Sequence, residues 1–119
     1  MDNAARRLVT KRINDEPADD DGFRVLVDRL WPRGVSKERA RLDLWLKDLA
    51  PSAPLRTGSA HMKERFADFR EHYVAELGNN PAVATLQELA EKHPRVTLLY
   101  GARDPEVDHV RVLLEFLRR

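Results

Sequence analysis

The chain carries two kinds of hydrophobic pattern, one typical of strands and the other of amphipathic helices. Apolar residues at alternating positions, or in short runs rich in β-branched side chains, predict strands. This pattern occurs in four segments: Leu8 to Ile13, Phe23 to Val27, Leu42 to Lys47 and Val96 to Tyr100. The third segment also fits a helical period, so a helix remains the alternative there.

Most of the helical pattern lies in the second half of the chain. Apolar residues recur at helical spacing in three segments: Phe66 to Leu77, Val83 to Leu89 and Val107 to Leu117. Gly78 follows the first segment at the position of a C-capping glycine. Asn80-Pro81 and Asp104-Pro105 each combine an N-cap with a first-turn proline, and they predict where the other two helices begin.

The length and composition agree with a folded domain of this kind. The 119 residues are 42% hydrophobic and 34% charged, and no internal repeat or linker interrupts them. Strand and helix patterns follow one another along the chain. The sequence therefore predicts one compact α/β domain over residues 1–119.

Composition also excludes several kinds of chemistry. The chain contains no cysteine, which excludes disulfides, thiolate metal sites and cysteine nucleophiles. No apolar segment approaches the roughly 20 residues that a membrane span needs, and the first residues lack the apolar segment of a signal peptide. We therefore expect a cytoplasmic protein without a membrane partner. The formal net charge of +1 means that any attraction for an anion must be local.

The segment V-L-V-D-R-L-W-P-R-G, residues 25–34, is the strongest functional signal. Asp28, Arg29 and Arg33 follow a predicted buried strand, at the edge where parallel α/β sheets bind ligands. G-A-R-D-P follows the last predicted strand and adds Arg103. Arginine binds phosphate and carboxylate groups through its planar fork. The two segments together predict a shared site for a small anionic ligand.

Other residues are candidates for the same site. The ligand-binding set that we predict is Arg12, Arg29, Trp31, Arg33, His61, Tyr100 and Arg103. Asp28 and His109 are the candidates for proton transfer if the site is catalytic. The histidines show no metal-ligand spacing and no cofactor motif is present, so we expect neither a metal ion nor a cofactor.

Three motifs resemble those of the YeaO-like family, a domain of unknown function, DUF488. They are V-L-V-D-R-L-W-P-R-G, L-A-P-S with Leu55-Arg56, and T-L-L-Y-G-A-R-D, and the resemblance extends from about Lys11 to Leu117. It implies a three-layer α/β fold with a mainly parallel sheet and no particular activity. Longer relatives have a cysteine-histidine-arginine cluster near the last strand and helix. This chain has Tyr100 in that region and contains no cysteine. The resemblance therefore does not extend to cysteine chemistry.

Three functions remain open on these residues. The first is binding of a small anion or nucleotide-like ligand, and the second is a hydrolase or transferase that acts on a phosphorylated or carboxylated molecule. The third is a nucleic-acid or protein interaction module, built on the basic segment from Arg29 to Arg41, although the neighbouring acidic loop argues against nucleic acid. In the simplest alternative, Arg29 and Arg33 only pair with that loop, Asp15 to Asp21, at the surface.

Overall fold

A four-stranded parallel sheet forms the centre of the molecule. The computed structural model describes residues 4–52, 54–55, 62–101 and 109–118. The strands are β1 (Leu8–Arg12), β2 (Phe23–Leu26), β3 (Leu44–Trp45) and β4 (Val96–Tyr100), in the spatial order β1-β4-β2-β3. Since all neighbouring pairs are parallel, the carboxyl ends of the four strands lie at one edge of the sheet.

Strand β4 occupies a central position although it is the last strand along the chain. Leu8 of β1 and Phe23 of β2 both align with Val96, and all five residues of β4 are buried. Its continuous apolar composition suits a strand that is covered on both faces. The prediction of a buried strand from Val96 to Tyr100 is therefore confirmed.

The two faces of the sheet are covered unequally. The helices are α1 (Lys37–Ala40), α2 (Met62–Leu77), α3 (Ala82–Lys92) and α4 (His109–Leu117). Residues of α2, α3 and α4 form the larger core with the β-strand residues Val25, Val96 and Leu98. The opposite face carries a smaller cluster around Leu26, Leu99 and Ala40 of α1. The first of the three layers of the predicted α/β fold consists of α2, α3 and α4. The sheet is the second layer, and α1 with its flanking loops is the third.

Helix ends follow the predicted capping signals. The Asn80 Oδ1 accepts the Ala82 N–H at 2.9 Å, and Pro81 already has helical dihedral angles. The Gly78 N–H closes the last turn of α2 on the Val74 carbonyl at 3.1 Å. The predicted start of α3 and the predicted end of α2 are confirmed, although Gly78 does not adopt the left-handed conformation typical of a C-capping glycine. Asp104-Pro105, the predicted start of the last helix, lies outside the described residues.

The third predicted strand is present, but it is shorter than the segment that the alternating pattern predicted. Only Leu44–Trp45 pairs with β2, and a short 3₁₀ helix, Lys47–Leu49, follows at once. The Leu46 N–H still donates to the Leu26 carbonyl at 2.9 Å. An edge strand has a partner on one side only, which explains how it ends after a few bonds. The apolar residues that also fit a helical period belong partly to this 3₁₀ turn.

Candidate functional site

A cavity of about 390 Å³ lies at the carboxyl edge of the sheet. Arg12 ends β1, Gly101 follows β4, and the loop after β2 supplies the remaining wall. The lining residues are Arg12, Asn14, Asp28, Leu30, Trp31, Pro32, Arg33 and Gly101. Three strand ends therefore meet at the cavity, in the place where ligands bind in open parallel sheets.

Asp28 is held in the cavity wall by groups from two other strands. Its Oδ2 accepts the Gly101 N–H at 2.9 Å, and its backbone carbonyl accepts the Trp45 indole N–H at 2.7 Å. Gly101 permits this approach because a Cβ there would lie 3.2 Å from Oδ2 and 3.3 Å from the Pro32 Cβ. The segment after β4 thus holds the carboxylate, and β3 holds the backbone of the same residue.

His109 lies behind Asp28 and outside the set of lining residues. Its Nε2 is 2.9 Å from the Val27 carbonyl oxygen and 3.6 Å from Asp28 Oδ1. Since a carbonyl oxygen only accepts, the hydrogen must reside on Nε2. The ring is buried and meets Tyr73 edge-on. Of the two candidates for proton transfer, Asp28 lines the cavity, and His109 is connected to it through Asp28.

The predicted arginines do not all point to the cavity. Arg12 donates from Nη2 to Asn14 Oδ1 over a long 3.5 Å, and its buried Nε has no partner among the described residues. Arg33 is exposed, with no hydrogen bond or ion pair found in the described part of the chain. Arg29 turns the other way, and its Nη2 donates to the carbonyls of Ala50 at 3.3 Å and Pro51 at 3.5 Å.

Arg29 therefore lies away from the cavity that we predicted it would help to form. Its Nη1 is also 3.6 Å from Asp48, a largely exposed carboxylate. The chain bends at Arg29 and Leu30 and turns at Arg33 and Gly34, and Arg29 and Arg33 lie in different surroundings. Arg29 also does not pair with the acidic loop from Asp15 to Asp21, as the simplest alternative had it.

The aromatic candidates fall into two environments. Trp31 lines the cavity while its indole donates to the Val35 carbonyl at 2.7 Å, and it packs edge-on against Trp45 at 5.5 Å. Tyr100 is buried in the larger core on the opposite face of the sheet. Strand alternation explains this, because Tyr100 points to the same side as Leu98 and Val96. Its ring is therefore not part of the cavity lining.

Two predicted residues, His61 and Arg103, lie outside the described residues. Four lining residues were absent from the predicted set: Asn14, Leu30, Pro32 and Gly101. Asn14 and Gly101 follow strands closely, so their position along the chain was the available signal. Nothing in the sequence indicated that Leu30 would be 68% exposed at the rim.

A second charged cluster, Lys11, Asp21 and Arg24, lies beside the same strands and is internally paired. The Lys11 Nζ is 3.1 Å from Asp21 Oδ1, and Arg24 donates to Asp21 Oδ2. Burial raises the pKa of Asp21, but hydrogen bonds from the Ala18 N–H and from Lys11, the Lys11 charge and Arg24 outweigh it, so the net pKa lies below the ordinary 3.8. The Arg24 guanidinium also donates to the Ala40 carbonyl.

Neither a membrane span nor a metal cluster occurs in the described ranges. No described helix is both long enough and apolar enough to cross a membrane. Among the same residues, no three histidine or carboxylate side chains are grouped so as to hold a metal ion.

Known proteins match almost the whole chain. A family model described as "Inactive DUF488-N3 subclade" matches residues 7–119. The uncharacterised protein YeaO of Escherichia coli is 42% identical over 109 residues, which cover 91% of this chain and 94% of that protein. The uncharacterised protein Rv3073c of Mycobacterium tuberculosis is 39% identical over 111 residues, 93% of each chain.

These matches confirm the resemblance that the three motifs indicated. They cover the segment after β2, strand β4 and the last helix, and so include every described residue of the cavity lining. No solved structure matches the chain.

Proposed function

Because this chain belongs to the DUF488 family, within its inactive DUF488-N3 subclade, we propose that the cavity binds a small anionic ligand. One observation carries the proposal. Arg12 and Arg33 line a single cavity, and neither forms an ion pair with a carboxylate in the described residues. Two guanidinium groups that form no ion pair within the described part of the chain favour a ligand that supplies a counter-charge.

The local charge supports an anion although Asp28 is also present. Two arginines and one carboxylate leave a net positive charge in the lining. The Asp28 Oδ2 already accepts the Gly101 N–H, and Oδ1 lies 3.6 Å from His109 Nε2. Part of its negative charge is therefore stabilised by the protein itself, and the arginines are left to the ligand.

The size and walls of the cavity suit a small molecule. A volume of about 390 Å³ lies within the range of roughly 300–1,000 Å³ found for small-molecule sites. Trp31, Pro32 and Leu30 provide an apolar wall beside the charged groups. An anionic head with a short organic part matches this combination better than an extended polymer does.

The description of the family supports binding rather than catalysis. The subclade is named as inactive, and His109, one of the two residues proposed for proton transfer, donates to a backbone carbonyl. The hydrolase or transferase hypothesis therefore ranks second, and the nucleic-acid module third. A cytoplasmic location also remains a proposal, based on composition.

Thermal unfolding in the presence of anions tests the proposal. Phosphate, sulfate and pyrophosphate at low millimolar concentration, with ionic strength matched by sodium chloride, should raise Tm because only the folded protein holds the site. Arg33→Gln and Arg12→Gln should abolish the shift and leave the protein folded. Arg6→Gln is the matched control, since it removes an exposed charge outside the cavity.

The control separates site binding from general salt effects. Sulfate and phosphate stabilise many proteins by exclusion from their surfaces, and that effect would persist in all three variants. A shift that is equal in Arg33→Gln and Arg6→Gln, or no shift across the anion panel, would overturn the proposed function.

A further inference from the structure

Three consecutive apolar residues form one wall of the cavity at the carboxyl edge of the sheet. Leu30, Trp31 and Pro32 line the same space as Arg12 and Arg33. Leu30 is 68% exposed, and no other large hydrophobic side chain among the described residues is exposed to this degree. Single exposed leucines are ordinary on protein surfaces, but this one continues an apolar wall that faces two guanidinium groups.

The residues on both sides of Leu30 are anchored, so its position at the rim is set before a ligand arrives. On one side, the Arg29 Nη2 donates to the Ala50 carbonyl at 3.3 Å. On the other side, the Trp31 indole donates to the Val35 carbonyl at 2.7 Å, and its ring packs against the smaller hydrophobic cluster. A wall that is already ordered binds an apolar group without the entropic cost of ordering the wall.

The side chains of this wall match an apolar group better than a polar one. The Trp31 N–H is already bonded to Val35, and proline and leucine side chains have no polar atoms. Pro32 is packed against Gly101, where an added Cβ would lie 3.3 Å from the Pro32 Cβ. A hydroxyl placed against these side chains would lose water and gain no hydrogen bond from them.

We propose that the cavity is selective for small, soluble phosphate monoesters whose organic part is apolar. The phosphate lies against Arg12 and Arg33, and the organic part lies against Leu30, Trp31 and Pro32. This inference rests on the proposed function and adds to it the class of ligand. Leu30 contributes most of the preference, because it is the most exposed of the three apolar residues and therefore has the most surface for a ligand to cover.

Three phosphate monoesters test the preference on the unmodified protein. Methyl phosphate has almost no organic part, and n-pentyl phosphate has an apolar one. Glycerol 1-phosphate has a polar organic part with as many non-hydrogen atoms as the pentyl group. Isothermal titration calorimetry should give a Kd about tenfold lower for pentyl phosphate than for methyl phosphate, which corresponds to burial of roughly half of the added methylene surface. Glycerol 1-phosphate should bind within about twofold of methyl phosphate.

Leu30→Gln identifies the wall as the source of the preference. Glutamine is similar in size but polar, so the tenfold preference for pentyl phosphate should fall to about threefold. Leu30→Met is the matched control, because it keeps an apolar side chain of similar volume and should keep the tenfold preference. Both variants should fold, since Leu30 is exposed. Arg33→Gln should weaken all three esters alike.

A phosphate with an apolar part is also present in phosphatidic acid, and vesicle sedimentation distinguishes that lipid from a free ester. Phosphatidylcholine vesicles that contain phosphatidic acid should leave the protein in the supernatant, because one exposed leucine offers little apolar surface for insertion into a bilayer. Sedimentation with these vesicles, but not with phosphatidylcholine alone, would assign the site to a lipid headgroup and overturn the inference of a soluble ester.

The outcomes separate this inference from the proposed function. If no ester binds, both are wrong. If all three esters bind the unmodified protein equally, or if Leu30→Gln keeps the tenfold preference, the cavity binds anions without selectivity from this wall and only this inference is overturned. Should Leu30→Gln fail to fold, the three esters on the unmodified protein still decide the question.

Discussion

Two groups of charged side chains lie beside β1 and β2, and they differ in how their charges are matched. In the first, Asp21 pairs with both Lys11 and Arg24, and the carboxylate and the guanidinium are buried. In the second, Arg12 and Arg33 line a cavity without an ion pair among the described residues. The first group supplies its own counter-charges, whereas in the proposed function a ligand supplies those of the second.

Adjacent residues of one strand separate the two groups. Lys11 and Arg12 follow one another on β1, and their side chains point to opposite faces because successive strand residues alternate. Lys11 reaches Asp21, and Arg12 reaches the cavity. We therefore expect substitutions in the first group to change stability and substitutions in the second to change anion binding.

Asp21→Ala should have the largest effect on stability. It leaves Arg24, whose side chain is 5% exposed, without its counter-charge inside the protein. Loss of one partner of a buried ion pair costs about 3–5 kcal/mol. Urea unfolding measures the change in the free energy of unfolding. A loss below about 1 kcal/mol would mean that the pair behaves like an exposed one and would break the comparison.

Gly22→Ala should destabilise the turn that carries Asp21 by about 2–3 kcal/mol. Gly22 has φ +67°, and a Cβ there would lie 2.3 Å from the Arg95 carbonyl oxygen. Gly34→Ala is the matched control: its φ is +75°, but the added Cβ meets nothing within 4 Å. The control should lose only the cost of placing alanine at a positive φ, about 1 kcal/mol. Equal losses by urea unfolding would contradict the predicted contact with Arg95.

Acid should weaken the Asp21 group selectively. Its pKa in the folded protein lies below the ordinary 3.8, so the unfolded chain binds the proton more readily. The stabilisation is therefore complete above pH 3.8 and is lost as the pH falls through the folded-state pKa. Urea unfolding of the original protein and of Asp21→Asn should give free energies that converge below pH 3.8. A difference that stays constant as the pH falls well below 3.8 would exclude this contribution.

The sequence was sufficient for the elements of the fold because most of them follow from local patterns. Alternation and β-branched runs located β2 and β4, and Asn80-Pro81 located the start of α3. The spatial order of the strands depends on pairing between distant segments, which no local pattern contains. Strand β4 lies between β1 and β2, and about 70 residues of chain separate it from β2.

The position of the cavity could be predicted from the sequence, but its lining residues only in part. Strand ends located the cavity edge, and they placed Asp28 and Arg33 there. Whether a side chain points into the cavity depends on the path of the loop and on strand alternation over the whole sheet. Arg29 turns toward the Ala50 carbonyl because of the path of the loop, and Tyr100 points into the core because of strand alternation. The Gly101 N–H bond to Asp28 joins segments 73 residues apart and has no local signal.

Lys11→Gln and Arg12→Gln test the comparison with the smallest expected changes in stability. Lys11→Gln should cost about 1 kcal/mol, since Asp21 keeps its bonds from Arg24 and the Ala18 N–H, and it should leave the anion-dependent rise in Tm intact. Arg12→Gln should change stability by less than about 0.5 kcal/mol, because it removes no ion pair in the described residues, and it should abolish the rise.

The two variants remove the same charge from neighbouring positions on β1, so net charge and the bulk salt response are equal between them. Urea unfolding measures the change in stability of each variant, and thermal unfolding with phosphate measures the anion-dependent rise in Tm. If both variants lost the phosphate-dependent shift, the attraction would come from the overall field around β1, and the distinction between matched and unmatched charges would no longer explain the cavity.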